Sequence, residues 1–347
     1  MKALSILIIL VASANVSQAT VYTLCNMPYS PGQFTTYFDA ENAAMDGDTI
    51  YVHGSNFSYG DISIFRRLVI IGTGHSPNKQ APIVSTFGSI SINVPNVQLI
   101  GLTFNSVESF DPNGTVKKCR ILGRTIYPSL NLFASNWLIE GNIFDQQNLS
   151  SHCIRFSGYG GHIVQHNIFA SNVSQISDIS GSPGDRSYIL NNVFLGNGAS
   201  ISSLSNLDYA IIRNNIFYGS SPDLNNSLTN AIIENNITFY CADNNFYPTA
   251  TYGPLNQIGV DPLFTNVSGY PTNLFLYTYD FTLQPTSPGR NYGTDGTDVG
   301  VHGGLGELFT MTGEPSIAEV TAFTITSPTT IVPGGTLTIS VTSKRVH

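Results

Sequence analysis

A short phrase written five times between Trp137 and Phe239 constrains this chain more than any other feature. The copies are WLIEGNIF ending at Phe144, HIVQHNIF at Phe169, SYILNNVF at Phe194, AIIRNNIF at Phe217 and AIIENNIT at Thr238. Their anchor residues Asn142, Asn167, Asn192, Asn215 and Asn236 are spaced by 25, 25, 23 and 21. A period of that length marks a solenoid, in which each repeat is one coil that buries its apolar face against its neighbours. Strand alternation sends the residues three before and two after each anchor inward. Those columns are Ile139, Val164, Ile189, Ile212, Ile233 and Phe144, Phe169, Phe194, Phe217, Thr238, a dry core of aliphatic and aromatic stacks. The anchors recur at the strand spacing of about 4.8 Å and are expected to form a structural ladder, each carboxamide meeting the next. A buried amide is tolerable only when its donors and acceptors are met, which a ladder does repeatedly.

Few charges separate these runs. Of 347 residues 41% are hydrophobic and 10% charged, so the chain can bury a core, and 32 Gly and 18 Pro supply turns between short strands. A net charge of -8 offers no cationic surface for phosphate, which excludes nucleic acid as a partner class. Residues 1–19 read as an export signal: Lys2, an apolar run from Ala3 to about Ala14, then Ser17 and Ala19. No later stretch is long and apolar enough for a membrane span, so a secreted or cell-surface protein is expected, as a monomer. Cys25, Cys119, Cys153 and Cys241 lie at wide spacings that disfavour a zinc cluster and leave any disulfide pairing open.

In chain order, apolar residues from Phe34 to Ala44 recur at helical spacing and predict an amphipathic helix over 33–45, within an N-terminal cap at 20–46. A cap is required because an open solenoid end exposes core and strand edge. Coils follow over 47–305, with Gly101 aligned on the Asn column. The 41 residues between Gly101 and Asn142 exceed one rung, so Asn105 to Ser129 is expected as a loop thrown out from the stack. The segment 280–304 is turn-rich and is expected to end the solenoid. Beyond it, 306–347 reads as a linker and β tail, with strands at 320–326 and 336–342 joined through Pro333-Gly334-Gly335.

The opening DGDTIYVHG, the IIGTG phrase, the NNIF coils and the DPLF…DFTLQPTSPG…DVGVHGG ending together resemble the right-handed parallel β-helix family, the pectin-lyase-like proteins common among exported bacterial chains. The resemblance covers about residues 33–304 and implies a three-strand coil, an inward Asn ladder at a turn, and association with polysaccharide. It does not specify an activity, because this fold carries lyases, hydrolases, esterases and adhesins alike. The fold class expected is therefore all-β, a right-handed parallel β-helix solenoid with an N-terminal helical cap and a short C-terminal β tail.

Function is sought in the unrepeated residues. Aligning the strand before each repeat puts Asn131, Arg155, Asp178 and Ser203 in one outward column, with His152 close by as a base near neutral pH. Arg155, Asp178 and His152 are the candidate catalytic group, and Asn131 and Arg186 the candidate carbohydrate contacts. The alternative is that Arg155 and Asp178 form a plain surface pair worth little. Asp185 and Asp208, both seven before an anchor, are candidates to share Ca²⁺, unless Arg186 and Arg213 neutralise them. Arg213 and Glu234 read as a cross-strand pair. His162 and His166, four apart on a strand, stand roughly 13 Å from each other and are not joint ligands. No Lys occurs between Lys118 and Lys344, so an elimination using a Lys base within those rungs has no candidate. The leading expectation is a protein that binds polysaccharide in a lateral groove; the alternatives are a lyase or glycoside hydrolase acting on acidic glycans, and a purely structural adhesin.

Overall fold

The computed structural model describes residues 19–28, 32–79, 82–146, 152–171, 173–247, 251–252, 255–267, 274–307, 309–325 and 339–345. Apart from Ala19, the expected export signal lies outside these residues. Three parallel sheets of 11, 8 and 8 strands, here A, B and C, run the length of the stack. One coil passes through Leu130–Leu132 in sheet B, Leu138–Glu140 in sheet A and Ile143–Gln146 in sheet C, and the next re-enters sheet B at Ile154–Tyr159. This is a right-handed parallel β-helix.

Both inward columns are buried, from Ile139 to Ile233 and from Phe144 to Thr238. Phe144, Phe169, Phe194 and Phe217 stack face to face with centroids 4.6, 4.8 and 4.7 Å apart, so the rung spacing itself sets an offset aromatic stack. The ladder forms as well: Asn192 Oδ1 accepts from Asn167 N and Nδ2, both at 3.0 Å, and Asn192 Nδ2 donates to Asn215 Oδ1 at 3.0 Å. It extends beyond the repeats to Asn256. At the other end Cys119 occupies the column, its N donating to Asn142 Oδ1, and Leu102 precedes it. Gly101 is therefore not an anchor.

Gly101 instead belongs to the column just before the anchors, where Gly101, Lys118, Gly141, His166, Asn191, Asn214 and Asn235 all have φ between 52° and 66°. The chain turns from sheet A to sheet C there in two residues, which needs one left-handed residue, a conformation that Gly and Asn adopt most readily. That is the physical meaning of the Asn-Asn pair: the first Asn turns the corner, the second fills the ladder.

The first member does more. Asn235 Nδ2 donates to Tyr292 O at 2.7 Å, Asn214 Nδ2 to Thr294 Oγ1 at 3.3 Å, and Asn191 Nδ2 to Gly300 O at 3.2 Å. His166 Nε2 bonds Gly303 O at 2.8 Å, and Lys118 Nζ donates to Glu314 O at 3.1 Å. Residues 280–304 thus do not close the end of the solenoid. They begin a strap that runs back along the outside of the corner as far as His75, whose N meets Thr312 O. The strap seals sheet C with a second apolar core: Ile143, Ile168, Val193, Ile216 and Ile237, one after each anchor, pack against Phe264, Phe275, Phe281, Val301 and Phe309. Residues 307–316, expected as linker, belong to this strap, where Glu307 pairs with Lys118 at 2.6 Å.

Two further expectations are corrected. The helix spans Tyr37–Ala43, not 33–45, because Thr36 caps it by accepting from Asp39 N and the preceding Phe34 bridges to Leu24 as strand. Tyr37, Ala40 and Ala44 plug the core end, as a cap requires. The segment 105–129 is a coil and not an ejected loop: Ser106–Ser109, Thr115–Lys117 and Arg120–Ile121 each pair in parallel with the rungs on both sides. It was hidden because its anchor is Cys. The tail strands Ala318–Ile325 and Ile339–Arg345 form an antiparallel pair, and the turn between them lies outside the described residues. All four cysteines are free thiols.

Candidate functional site

The strap covers sheet C, which leaves the outer faces of sheets A and B to solvent, and sheet B carries a polar column beside an aromatic one. Register alone aligns Ser63, Ser91, Glu108, Asn131 and Arg155 as directly opposed outward residues on successive rungs. Inward neighbours Ile62, Ile64, Ile90, Ile92, Val107, Leu130, Leu132 and Ile154 hold these strands in place by burying the other face. Two residues further along, still outward, stand Phe65, Phe110 and Phe133; Phe110 and Phe133 stack at 4.4 Å and 6° between ring planes. A polar column thus runs beside an aromatic one.

Side-chain bonds tie part of the column together. Asn131 Nδ2 donates to Glu108 Oε2 at 3.3 Å, Arg155 Nε to Asp178 Oδ2 at 2.9 Å, and Asn206 Nδ2 to Asp178 Oδ1 at 3.0 Å. Arg155 is ion-paired through Nε alone, so its terminal nitrogens make no hydrogen bond among the described residues. Burial, with the Arg155 charge, pulls the His152 imidazole below its ordinary pKa against the opposing pull of Asp178, which keeps the ring neutral near pH 7. On the far side of the column Arg124, Tyr127 and Pro128 wall a cleft of about 100 Å³ over Glu108 and Asn131, with Arg124 lying over the Tyr127 ring at 5.4 Å.

The expected column Asn131, Arg155, Asp178, Ser203 is displaced by a bulge. Ser177, not Asp178, is opposite Arg155, and Ser205, not Ser203, follows it. Asp178 takes φ 63° and swings out to reach the guanidinium, while Ser203 is buried and bonded to Ser220. Arg155, Asp178 and His152 do come together, and Asn131 joins them. Arg186 does not: Nη1 donates to Tyr209 O at 3.3 Å and Asn230 O at 3.4 Å, and its guanidinium covers the Tyr209 ring. Asp185 and Asp208 are likewise not rung partners. Asp208 is opposite Ser180 and accepts from Asn230, and Asp185 closes a turn with Ser182. Among the described residues no three His, Cys, Asp or Glu side chains gather to hold a metal ion. Arg213 and Glu234 pair at 2.8 Å as a surface bridge. His162 stacks on Phe156 at 3.8 Å, and His166 holds the strap, so neither serves the other.

Sequence reasoning missed Ser63, Ser91, Phe65, Phe110 and Phe133 as site residues. Their signal is the repeated pattern of apolar, polar, apolar or small, then aromatic at ISIF, VESF and LNLF, with ISIN as its polar variant. Chemically, guanidinium, carboxylate and carboxamide groups in a row can exchange hydrogen bonds with hydroxyls, and flat exposed rings can cover the apolar face of a sugar.

The coils, the ladder and the laterally placed polar face define the class: a right-handed parallel β-helix. No family model matches the chain, and no curated protein matches it. In structure it is similar to pectate lyase Pel9A, with a TM-score of 0.56 and 12% sequence identity over 83% of this chain and 97% of that one.

Proposed function

We propose that this protein is an exported β-helix that binds polysaccharide along the outer face of sheet B, through Glu108, Asn131, Arg155 and Asp178 with Phe110 and Phe133 beside them. The observation that carries this reading is the register-aligned polar column flanked by stacked aromatic rings, an arrangement that recurs rung by rung as a polymer does sugar by sugar. An association with polysaccharide also accords with the similarity in fold to a pectate lyase. No helix among the described residues is long and apolar enough to cross a membrane. The test is retention on a broad glycan array and mobility in polysaccharide-containing gels. Arg155→Ala and Phe110→Ala should each weaken retention without altering the melting temperature; a blank array sinks the proposal.

A second reading is supported by one feature, the neutral imidazole of His152 beside Arg155. It is β-elimination from an acidic glycan: His152 takes the C5 proton α to the uronate carboxyl, Arg155 faces the charge that develops, and the electron pair forms the C4–C5 double bond as the C4–O glycosidic bond breaks, the departing oxygen taking a proton from water. Appearance of the unsaturated uronate product by ultraviolet absorbance, lost in His152→Ala, would establish it; silence across uronate polymers with and without Ca²⁺ leaves binding alone.

A further inference from the structure

The polar column of sheet B does not run off the end of the stack. It stops at a cavity of about 530 Å³ between the capping helix and the edge strand Ile62–Ile64, within the usual range for small-molecule sites. Ser63, the last member of the column, lies in its wall together with Phe65. Across from them the helix contributes Phe38; it and Phe65 are 70% and 66% exposed, two large rings that the core does not use.

The polar lining is uncommitted where it matters. Asn42, Ser63 and Arg66 line the cavity and make no side-chain hydrogen bond among the described residues. Tyr37 is only 6% exposed, and burial together with the Glu41 carboxylate beside its hydroxyl raises the phenol pKa. The carboxylates are already partly engaged: Glu41 Oε1 accepts from Phe65 N at 2.7 Å and Asp61 Oδ1 from Ser89 N at 2.7 Å.

Resting on the reading of sheet B as a polysaccharide face, we propose that this cavity holds the terminal residue of a neutral glycan whose body lies along the column. The helix blocks passage beyond Ile62–Ile64, so a chain entering from Arg155 must end here. Phe38 and Phe65 cover the apolar sides of the last ring, and Asn42, Ser63 and Arg66 meet its hydroxyls. Neutrality follows from charge: Glu41 and Asp61 outnumber Arg66 in the cavity, and on the column Arg124 and Arg155 only balance Glu108 and Asp178, which leaves no net positive charge to hold a uronate at the chain end.

The test is calorimetric titration of the whole chain with cellotriose, mannotriose, xylotriose and trigalacturonate. A neutral trisaccharide should bind, and Phe65→Ala and Asn42→Ala should each lower its affinity about tenfold or more at an unchanged melting temperature. Arg155→Ala should lower that affinity less than either cavity variant does, while reducing retention of the long polymer. Failure of every neutral trisaccharide to bind, full affinity in both cavity variants, or tighter binding of trigalacturonate overturns the proposal. Polymer retention that depends on Arg155 but not on Phe65 or Asn42 would remove the terminal pocket and leave the sheet B reading standing.

Discussion

Replacing Asn192 by Leu tests the central joint of the ladder. Its side chain takes part in four hydrogen bonds: Oδ1 accepts from Asn167 N and Asn167 Nδ2, and Nδ2 donates to Val164 O at 2.9 Å and Asn215 Oδ1 at 3.0 Å. Leu has the same branched heavy-atom skeleton and a larger volume, so no cavity opens and the loss is polar, with any overpacking adding to it. At about 1 kcal/mol net per bond, plus the penalty for the Asn167 N–H now buried without an acceptor, the cost is about 4 to 6 kcal/mol. Asn142 makes only three such bonds, since its upper neighbour is Cys119 with no amide to offer, so Asn142→Leu should cost less. Denaturant unfolding gives the ordering, and amide exchange at Asn167 gives the locality, with its protection falling most in the Asn192 variant. A loss below about 1 kcal/mol for Asn192→Leu, or equal losses at both sites, would refute the argument that ladder bonds are what make buried carboxamides tolerable here.

Three other outcomes are expected. Phe169→Ala, between rings at 4.6 and 4.8 Å, should cost about 3 to 5 kcal/mol in equilibrium unfolding, the usual penalty for an emptied aromatic site. Burial opposes ionisation of Glu140 and Glu307, yet His166 3.9 Å away with hydrogen bonds from Lys117 and Gln165 to the first, and hydrogen bonds from Lys118 and Ser316 to the second, bring both carboxyls down to about 2. Because these pKa values are lowered on folding, the stabilisation is complete above the ordinary value of 4.5 and is lost as pH falls toward about 2, where near-ultraviolet dichroism should report release of the strap; Glu140→Gln with Glu307→Gln should flatten that titration. Burial pushes the thiols of Cys119, Cys153 and Cys241 up to about 12, so they should resist a thiol reagent in the folded protein and react on denaturation, and reductant should leave the melting temperature unchanged; a drop would show that a disulfide contributes.

Much of the fold was legible because a rung stack writes its geometry into a period. Core columns, ladder and fold class follow from the anchors, since each repeated residue meets a copy of itself one strand spacing away. The coil at 105–129 escaped because Leu102 and Cys119 stand where Asn stands elsewhere, and two missing anchors make one rung look like an insertion. Arg155, Asp178, His152 and Asn131 were legible as neighbours on adjoining rungs, but the path linking Asn131 back to Ser63 was not. Its members lie 28, 17 and 23 residues apart between Ser63, Ser91, Glu108 and Asn131, because corner lengths vary while strand register does not.

The sequence by itself determined that the chain coils, which residues face its core and that the anchor amides meet one another, all consequences of contacts between neighbouring copies. Only the tertiary structure decided which flank is closed. The column Ile143, Ile168, Val193, Ile216, Ile237 is apolar on a face that alternation turns outward, and nothing local says what covers it; the strap does, from about a hundred residues downstream, gripping the first Asn of each pair. With sheet C sealed, the polar and aromatic columns of sheet B are left facing solvent, and the capping helix gives that face an end. Such a choice rests on contacts between segments that share no period, which is why no column of the repeat could announce it.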